Sequence, residues 1–343
     1  MPGPKHILVM RFSAMGDVAM TVPVIKALLD QHPETTITYV SRPDFAEFFK
    51  DIPRLNYYPA DLKELYNGFG GLIKLFNHLK NQEHFDAVVD LHNNLRTQIL
   101  RRLFRLTGVK TAALDKGRAE KKLLTRFPNK VVKPLKRTVE RYADVFRSVG
   151  FEVLLDYKLA KEPKPLTDDI TKITGEKATP WIGISPFAKH KGKIYPHEKM
   201  EEVLAELNQQ GSKIFLFGGS IHEQEVCDDW EKKYENVIST VRILDMQQEF
   251  VLINNLDVML SMDSAGMHLA SLEGTPVVSV WGATHHYAGF LGYGQSENDI
   301  VANTIECRPC SVYGNKPCFR KDYACLHRIN AETIVDKLTQ YTR

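Results

Sequence analysis

The sequence predicts an α/β chain built from two doubly wound parallel-sheet domains, and three observations predict it. Apolar runs of strand length alternate with amphipathic stretches of helix length, and this alternation restarts after a polar, proline-rich stretch near residue 165. The length of 343 residues suits two domains, each large enough to bury its own core. The composition, 43% hydrophobic and 25% charged, is that of an ordinary globular protein and excludes disordered, collagen-like and coiled-coil classes.

In chain order, His6–Arg11 (HILVMR) is a short buried strand and Val18–Gln31 a helix with apolar spacing near 3.6. Thr35–Ser41 is the next strand, followed by a short helix from about Asp44. Phe85–His92 (FDAVVDLH) is a strand, Leu95–Leu106 a basic helix, and a helix from about Lys136 to Val149 stops at Gly150. Such alternation builds right-handed βαβ units and a sheet covered on both faces. The stretch Lys161–Asp169 (KEPKPLTDD) reads as a linker. Beyond it, Trp181–Ser185 is a strand and Pro196–Gln209 a helix with proline in its first turn and Gly211 as its stop. Lys213–Phe217 and Leu256–Ser261 are strands enclosing two helices. A helix starts at Ser264, Pro276–Trp281 is a strand, and about Ala331–Tyr341 forms the last helix. The expected organisation is a first domain over 1–160, a linker over 161–169, a second domain over 170–329, and a terminal helix over 330–343 packing back on the first domain. The two sheets are expected to face across a cleft, with ligands at the carboxyl ends of their strands.

The formal net charge of +3 conceals a strongly uneven distribution. Between Arg96 and Arg141 lie fifteen basic and three acidic residues, a net of +12, so the rest of the chain carries −9. A nucleic-acid partner is one reading of that block, but it lacks regular aromatic interleaving and no recognition motif accompanies it. No stretch approaches 18 consecutive apolar residues, so no spanning segment is expected. Met1–Lys5 runs into the first strand with no cleavage site, so no secretory signal is expected. Five cysteines are too few for a disulfide scaffold, and their odd number agrees with a reducing cytoplasm.

Five features bear chemistry. The loop after the first strand, Arg11-Phe12-Ser13-Ala14-Met15-Gly16-Asp17, has a single glycine, which disfavours the G-x-G-x-x-G of dinucleotide binding. Asp17 falls where a helix begins: it is either a carboxylate meeting the helix dipole, worth about 0.3–1 kcal/mol, or a catalytic base. In the second half, Asp263-Ser264-Ala265-Gly266-Met267-His268 follows a strand. Free amides there, with Ser264 and Gly266, suit an anion, and His268 lies one turn in; a plain helix start is the other reading. The loop Ser185–Pro196 holds Lys189, Lys191 and Lys193, suited to a diphosphate or simply to solvent. Gly218-Gly219 after a strand permits close approach by a nucleotide or a tight turn. The late cysteines, Cys307, Cys310, Cys318 and Cys325, read as reduced structural thiols, with structural zinc as a second reading because the first pair alone has zinc-like spacing.

Together these residues resemble glycosyltransferase family 9, the bacterial heptosyltransferases of the lipopolysaccharide inner core. The resemblance is carried by Ser13, Met15, Gly16 and Asp17, by Asp90–His92, by Lys193, Tyr195 and Pro196, by Asp263–His268, by Trp281–Thr284, and by Cys325-Leu326. It implies a GT-B fold of two Rossmann-like domains and an inverting transfer with Asp17 as general base. Lys193 would hold the diphosphate of an ADP-sugar, with Asp263, Ser264, Gly266, His268 and Gly219 completing the donor site. Ser13, Met15, Gly16 and His92 would lie at the acceptor, and Arg96, Arg118, Lys121 and Lys122 would reach its anionic groups. No Asp-x-Asp occurs, so no metal and no cofactor beyond the ADP-heptose donor are expected. The implied partner is an anionic lipid-linked core oligosaccharide, met by a monomer at the cytoplasmic face of the inner membrane. The chain departs from the family pattern at Ala265, where glycine is usual, and at Ile221, where a glutamate is usual and Glu223 lies close. A relative using another nucleotide sugar, or a GT-B nucleotide-sugar 2-epimerase, is the alternative.

Overall fold

A computed structural model describes residues 6–342; the expectation for Met1–Lys5 lies outside the described residues. The chain forms two compact units, one running to Arg118 and including Thr138–Asp156, the other comprising Ala119–Arg137 and the chain from Tyr157 onward.

The first unit is a five-stranded parallel sheet. Its elements are β1 His6–Met10, α1 Met15–Ala19, α2 Val22–Gln31, β2 Thr36–Ser41, β3 Leu55–Pro59, α3 Gly68–Gln82, β4 Ala87–Asp90, α4 Leu95–Leu106 and β5 Lys110–Ala113. Then α5 Arg118–Thr125 leads out of the unit and α6 Thr138–Val149 returns to it. The strand order is β3-β2-β1-β4-β5, all parallel. Strands β1 and β4 are almost wholly buried, which is why HILVM and AVVD read as continuous apolar runs. The helix expected over Val18–Gln31 is divided, because Pro23 in the first turn of α2 lacks an N–H and serves as a helix start. Thr21 at the break donates its hydroxyl to Val18 O at 2.7 Å.

The second unit contains α7 Asp168–Thr174, β6 Trp181–Ser185, α8 His197–Gln209, β7 Lys213–Leu216, α9 Ile221–Lys233, β8 Val237–Ser239 and α10 Met246–Asn255. There follow β9 Val258–Met262, α11 Ala265–Leu272, β10 Val277–Trp281, β11 Ile300–Ala302, α12 Ala324–His327 and α13 Ala331–Leu338. The strand order is β11-β10-β9-β6-β7-β8, again all parallel. Counted from each unit's own first strand, the orders are 3-2-1-4-5 and 3-2-1-4-5-6, so both sheets are doubly wound. Each has its switch point beside its first strand, between β1 and β4 in one and between β6 and β9 in the other.

Three boundary expectations need correction. The terminal helix, expected on the first domain, buries Ile334, Val335 and Leu338 in the second unit's core against α8. Its apolar stripe matches the Met200, Val203, Leu204 and Leu207 face of that helix. The expected linker 161–169 is held by hydrogen bonds within the second unit: Lys164 N donates to Asn254 Oδ1 at 3.0 Å and Lys164 Nζ reaches Glu273 at 2.7 Å. Most consequentially, Ala119–Arg137 groups with the second unit, not the first. Leu124 and Leu135 are buried with Ala288, and Lys130 Nζ donates to the carbonyls of Glu306, Cys307 and Pro309 at 3.2, 2.7 and 3.0 Å. The basic block therefore does not form one face of the first domain; seven of its fifteen cations belong to the second unit.

Candidate active site

In the first unit the site is assembled where β1 and β4 end, at the switch point. Arg11 follows the last residue of β1 and is buried. Its guanidinium donates to Leu91 O at 2.5 Å and lies 2.7 Å from Asp17 Oδ2. Asp17 sits in the first turn of α1, accepts a hydrogen bond from Ala14 N at 3.3 Å, and keeps about a third of its side chain exposed (32%). Tyr142 of α6 donates its hydroxyl to Asp17 O at 3.3 Å, and its ring lies beneath Arg11 at 5.6 Å. The carboxylate is thus fixed in place yet open on one side.

The turn after β4 is organised by Asp90, whose buried Oδ1 accepts the amides of His92 and Asn93 at 3.0 and 2.6 Å. Burial pushes the Asp90 carboxyl up. Asn93 takes a left-handed conformation (φ 47°), which asparagine tolerates, and Asn94 caps α4 by accepting from Thr97 N at 3.0 Å. His92 Nδ1 faces the Phe12 amide at 3.3 Å. Burial, with Arg11 and Lys116 nearby, pushes the His92 imidazole down to about 3, so it is neutral at physiological pH. Sequence reasoning missed two members of this group, Arg11 as the carboxylate's partner and Lys116 in the loop after β5. Burial, then the charges of Arg11 and Arg118, push Lys116 down. A charged residue directly after an apolar strand was the available signal for Arg11.

In the second unit the corresponding place is the ends of β6 and β9. Lys193 lies in the turn Lys191–Lys193 after β6. Its Nζ is 2.8 Å from Asp263 Oδ2 and donates to Asp263 O at 2.8 Å. Asp263 and His268 are buried, and Ser264 is the extended N-cap of α11, its Oγ 3.4 Å from Ser261 Oγ. Its hydroxyl makes no cap hydrogen bond to α11. Gly266 is required sterically: a Cβ there would lie 2.5 Å from Ser185 Oγ, so glycine lets α11 approach the end of β6. The next loop, Gly282–Ala283, locks onto the lysine turn through Ala283 N donating to Gly192 O at 2.8 Å. Arg308 donates Nε to Gly282 O at 2.9 Å and is pushed down to about 10 by burial.

Other expected residues are placed as follows. Ser13, Met15 and Gly16 are half-buried around Asp17, while Arg96 and Arg118 are exposed in the first unit. Lys121 and Lys122 belong to the second unit. Lys121 is buried with its Nζ over the Phe290 ring at 4.3 Å, and Lys122 is exposed. Gly219, at the end of β7, donates its amide to Glu223 Oε2 at 2.8 Å, as does Ser220 at 2.9 Å. This is the capping box of α9, foreshadowed by Ser-x-x-Glu in the sequence. All five cysteines are free. Among the described residues, no group of three or more His, Cys, Asp or Glu side chains is arranged to hold a metal ion.

Two doubly wound parallel sheets, one ending in a positioned carboxylate and the other in a lysine beside a helix N-terminus, are the architecture of a GT-B glycosyltransferase. The chain belongs to glycosyltransferase family 9 (heptosyltransferase), whose family model matches residues 72–318. It is 22% identical to the lipopolysaccharide core heptosyltransferase OpsX of Haemophilus influenzae over 317 residues, covering 87% of this chain and 84% of the relative. Among solved structures, a family 9 glycosyltransferase from Veillonella parvula superposes with a TM-score of 0.75 at 18% identity, covering 98% of this chain and 97% of that one. The Escherichia coli heptosyltransferase WaaC with ADP gives a TM-score of 0.68 at 18% identity, covering 98% and 99%. At such identities the structural likeness speaks to fold alone.

Proposed function

We propose that the enzyme transfers a heptose, or a similar sugar, from an ADP-sugar to the lipopolysaccharide inner core or a related lipid-linked glycan, with inversion and without a metal. The observation that carries the reading is the pairing of chemistries at the two switch points: Arg11 with Asp17 in one unit, Lys193 with Asp263 in the other. Inverting transfer needs a base for the acceptor hydroxyl and stabilisation of the charge developing on the diphosphate. Asp17 takes the hydroxyl proton. The acceptor oxygen then bonds the anomeric carbon as its bond to the diphosphate breaks, and ADP leaves with the electron pair. Lys193 and the free amides at the start of α11 receive that charge, with Ser264, Gly266 and His268 around the phosphates. These donors supply locally what a divalent cation supplies in metal-dependent transferases. Gly219, its amide engaged by Glu223, lines the donor side.

On the acceptor side, Ser13, Met15, Gly16 and neutral His92 shape the surroundings of Asp17, and Arg96, Arg118 and Lys116 meet anionic groups of the core. On the second unit Lys122 is exposed and available to such groups, whereas Lys121, expected to reach them, is instead buried with its Nζ on the Phe290 ring. No helix of the described residues is long and apolar enough to cross a membrane; the enzyme acts as a monomer from the cytoplasmic face of the inner membrane. ADP as the donor nucleotide is supported by the relative solved with ADP. The test is incubation of wild type and Asp17→Ala with a nucleotide-sugar panel and heptose-free lipopolysaccharide core, following release of the nucleotide diphosphate. Release from ADP-heptose by wild type alone supports the reading; release only from another nucleotide sugar replaces the donor.

A further inference from the structure

Among the described residues, the second unit exposes eight large apolar side chains, and six of them lie in two segments, 119–137 and 313–319. Phe127 is 55% exposed and Phe319 61%, yet their rings stack on each other with centroids 5.8 Å apart. Val131 N donates to Leu123 O at 3.0 Å, so Leu123, Val131 and neighbouring Val132 belong to the same raised strap. Tyr313 joins through Phe290, whose ring centroid is 5.7 Å from its own and which also carries Lys121 Nζ on its face. The patch is therefore continuous, held together by aromatic contacts and by the burial of Leu124 and Leu135 beneath it.

Its charge is one-sided. Segment 119–137 holds seven basic residues and one acid, and segment 313–322 holds Lys316, Arg320 and Lys321 with one acid, Asp322, which is paired with Arg320 at 2.8 Å. Arg126, Lys133, Lys316 and Lys321 are exposed beside the apolar groups. Exposed aromatic and branched side chains ringed by lysine and arginine fit one partner chemistry: anionic headgroups above the start of an acyl layer. A protein partner selected by charge alone would leave Phe127 and Phe319 without a role, since each holds its ring in water at a hydrophobic cost.

We propose that the platform formed by 119–137 and 313–321 is a membrane-docking surface, seating Phe127 and Phe319 in the interface of an anionic bilayer. This deepens the membrane-side reading given above and rests on it; it names which unit carries the contact. Gly314 of the platform packs beside the Lys193 side chain, so the residues chosen for substitution, Phe127, Phe319, Lys133, Lys316 and Lys321, are ones outside the Arg11–Asp17 and Lys193–Asp263 groups.

The full chain is floated with vesicles of phosphatidylcholine and phosphatidylglycerol, and with pure phosphatidylcholine. Wild type is expected to float with the anionic vesicles and not the neutral ones. Phe127→Ser/Phe319→Ser and Lys133→Glu/Lys316→Glu/Lys321→Glu are each expected to weaken binding about tenfold or more, while keeping wild-type melting and transfer to a lipid-free acceptor. Trp181, Trp230 and Trp281 are buried, so Phe127→Trp supplies an exposed indole whose emission should shift to the blue on adding anionic vesicles. Wild-type flotation by both multiple variants, an unshifted Phe127→Trp emission, or no flotation by wild type would overturn the proposal. So would a Phe127-dependent dimer that stays off vesicles. Flotation by a protein that transfers no sugar would sustain the docking surface and remove the transfer reading instead.

Discussion

Arg11 Nη2 lies 2.7 Å from Asp17 Oδ2 while the same guanidinium donates to Leu91 O, so one buried side chain ties the proposed base to the end of β4. Asp17→Asn keeps the shape and removes the proton acceptor. It is expected to lower kcat by about 10²- to 10⁴-fold with little change in melting temperature, because the side chain is a third exposed. Arg11→Ala, by contrast, is expected to lower both activity and melting temperature, since Leu91 O and the carboxylate lose their shared donor. Diphosphate release and thermal melts of the two variants check this; an Asp17→Asn enzyme as fast as wild type would discard the base assignment.

Lys193 and Asp263 form a buried pair, with side-chain exposures of 16% and 4%. Lys193→Met strands the carboxylate, so melting temperature is expected to drop by several degrees, as for a buried pair broken at about 3–5 kcal/mol. Transfer is expected to fall by about 10²- to 10³-fold. Adding Asp263→Asn should recover much of the melting temperature and none of the activity. Recovery of activity in the double variant would mean that the lysine serves the fold and not the diphosphate.

Gly266→Ala introduces a methyl group 2.5 Å from Ser185 Oγ and 2.6 Å from Ser185 Cβ. Overpacking of this kind costs about 1–3 kcal/mol, read as a lower midpoint in denaturant. Ser185→Gly in the same chain removes both clashing atoms and is expected to restore part of the loss. An unaltered midpoint in the single variant would show that α11 shifts without cost.

The imidazoles of His92, His285 and His286 are held down to about 3, 3 and 4, in each case first by burial. Each is neutral in the fold and titrates near 6.5 once unfolded, so unfolding takes up protons between about pH 4 and 6.5. Stability is therefore expected to fall as pH drops through that window. Glu249, pushed up to about 7 by burial, works in the opposite sense between about pH 4.5 and 7. His92→Gln should shrink the difference in urea midpoint between pH 5 and pH 7 relative to wild type. A larger difference in that variant would contradict the neutral histidine.

Transfer without a metal predicts full activity after dialysis against EDTA. Loss of activity in EDTA with recovery on adding magnesium would overturn that part of the proposal.

Much of this was legible in the sequence, and what was not has a physical reason. Continuous apolar runs such as HILVM and WIGIS declare buried parallel strands, because both sheet faces are covered. Strands β3 (LNYYP) and β5 (KTAA) were missed because they lie at the sheet's edges, half-exposed and without an apolar run. Asp17, Lys193 and Asp263 stood out because they follow strand ends in loops with few other roles. Arg11 did not, because its importance comes from Leu91, eighty residues away. The placement of 119–137 was illegible for the same reason: its lysines read as a solvated face of whichever domain precedes them, and only Leu124 and Leu135 seek the distant Ala288.

That placement also orders events during synthesis. The strap from Ala119 to Arg137 emerges from the ribosome long before the groups that complete it: Leu135 N waits for Tyr287 O, and Lys130 Nζ for the carbonyls of Glu306 to Pro309. The first unit likewise resumes only after the strap has been made, with Thr138–Asp156. Neither unit is a contiguous stretch, so a fragment cut between residues 156 and 157 separates 119–137 from the unit it helps to build. A nascent chain of about 300 residues therefore still lacks the Glu306, Cys307 and Pro309 carbonyls that Lys130 binds and the Phe319 ring on which Phe127 stacks.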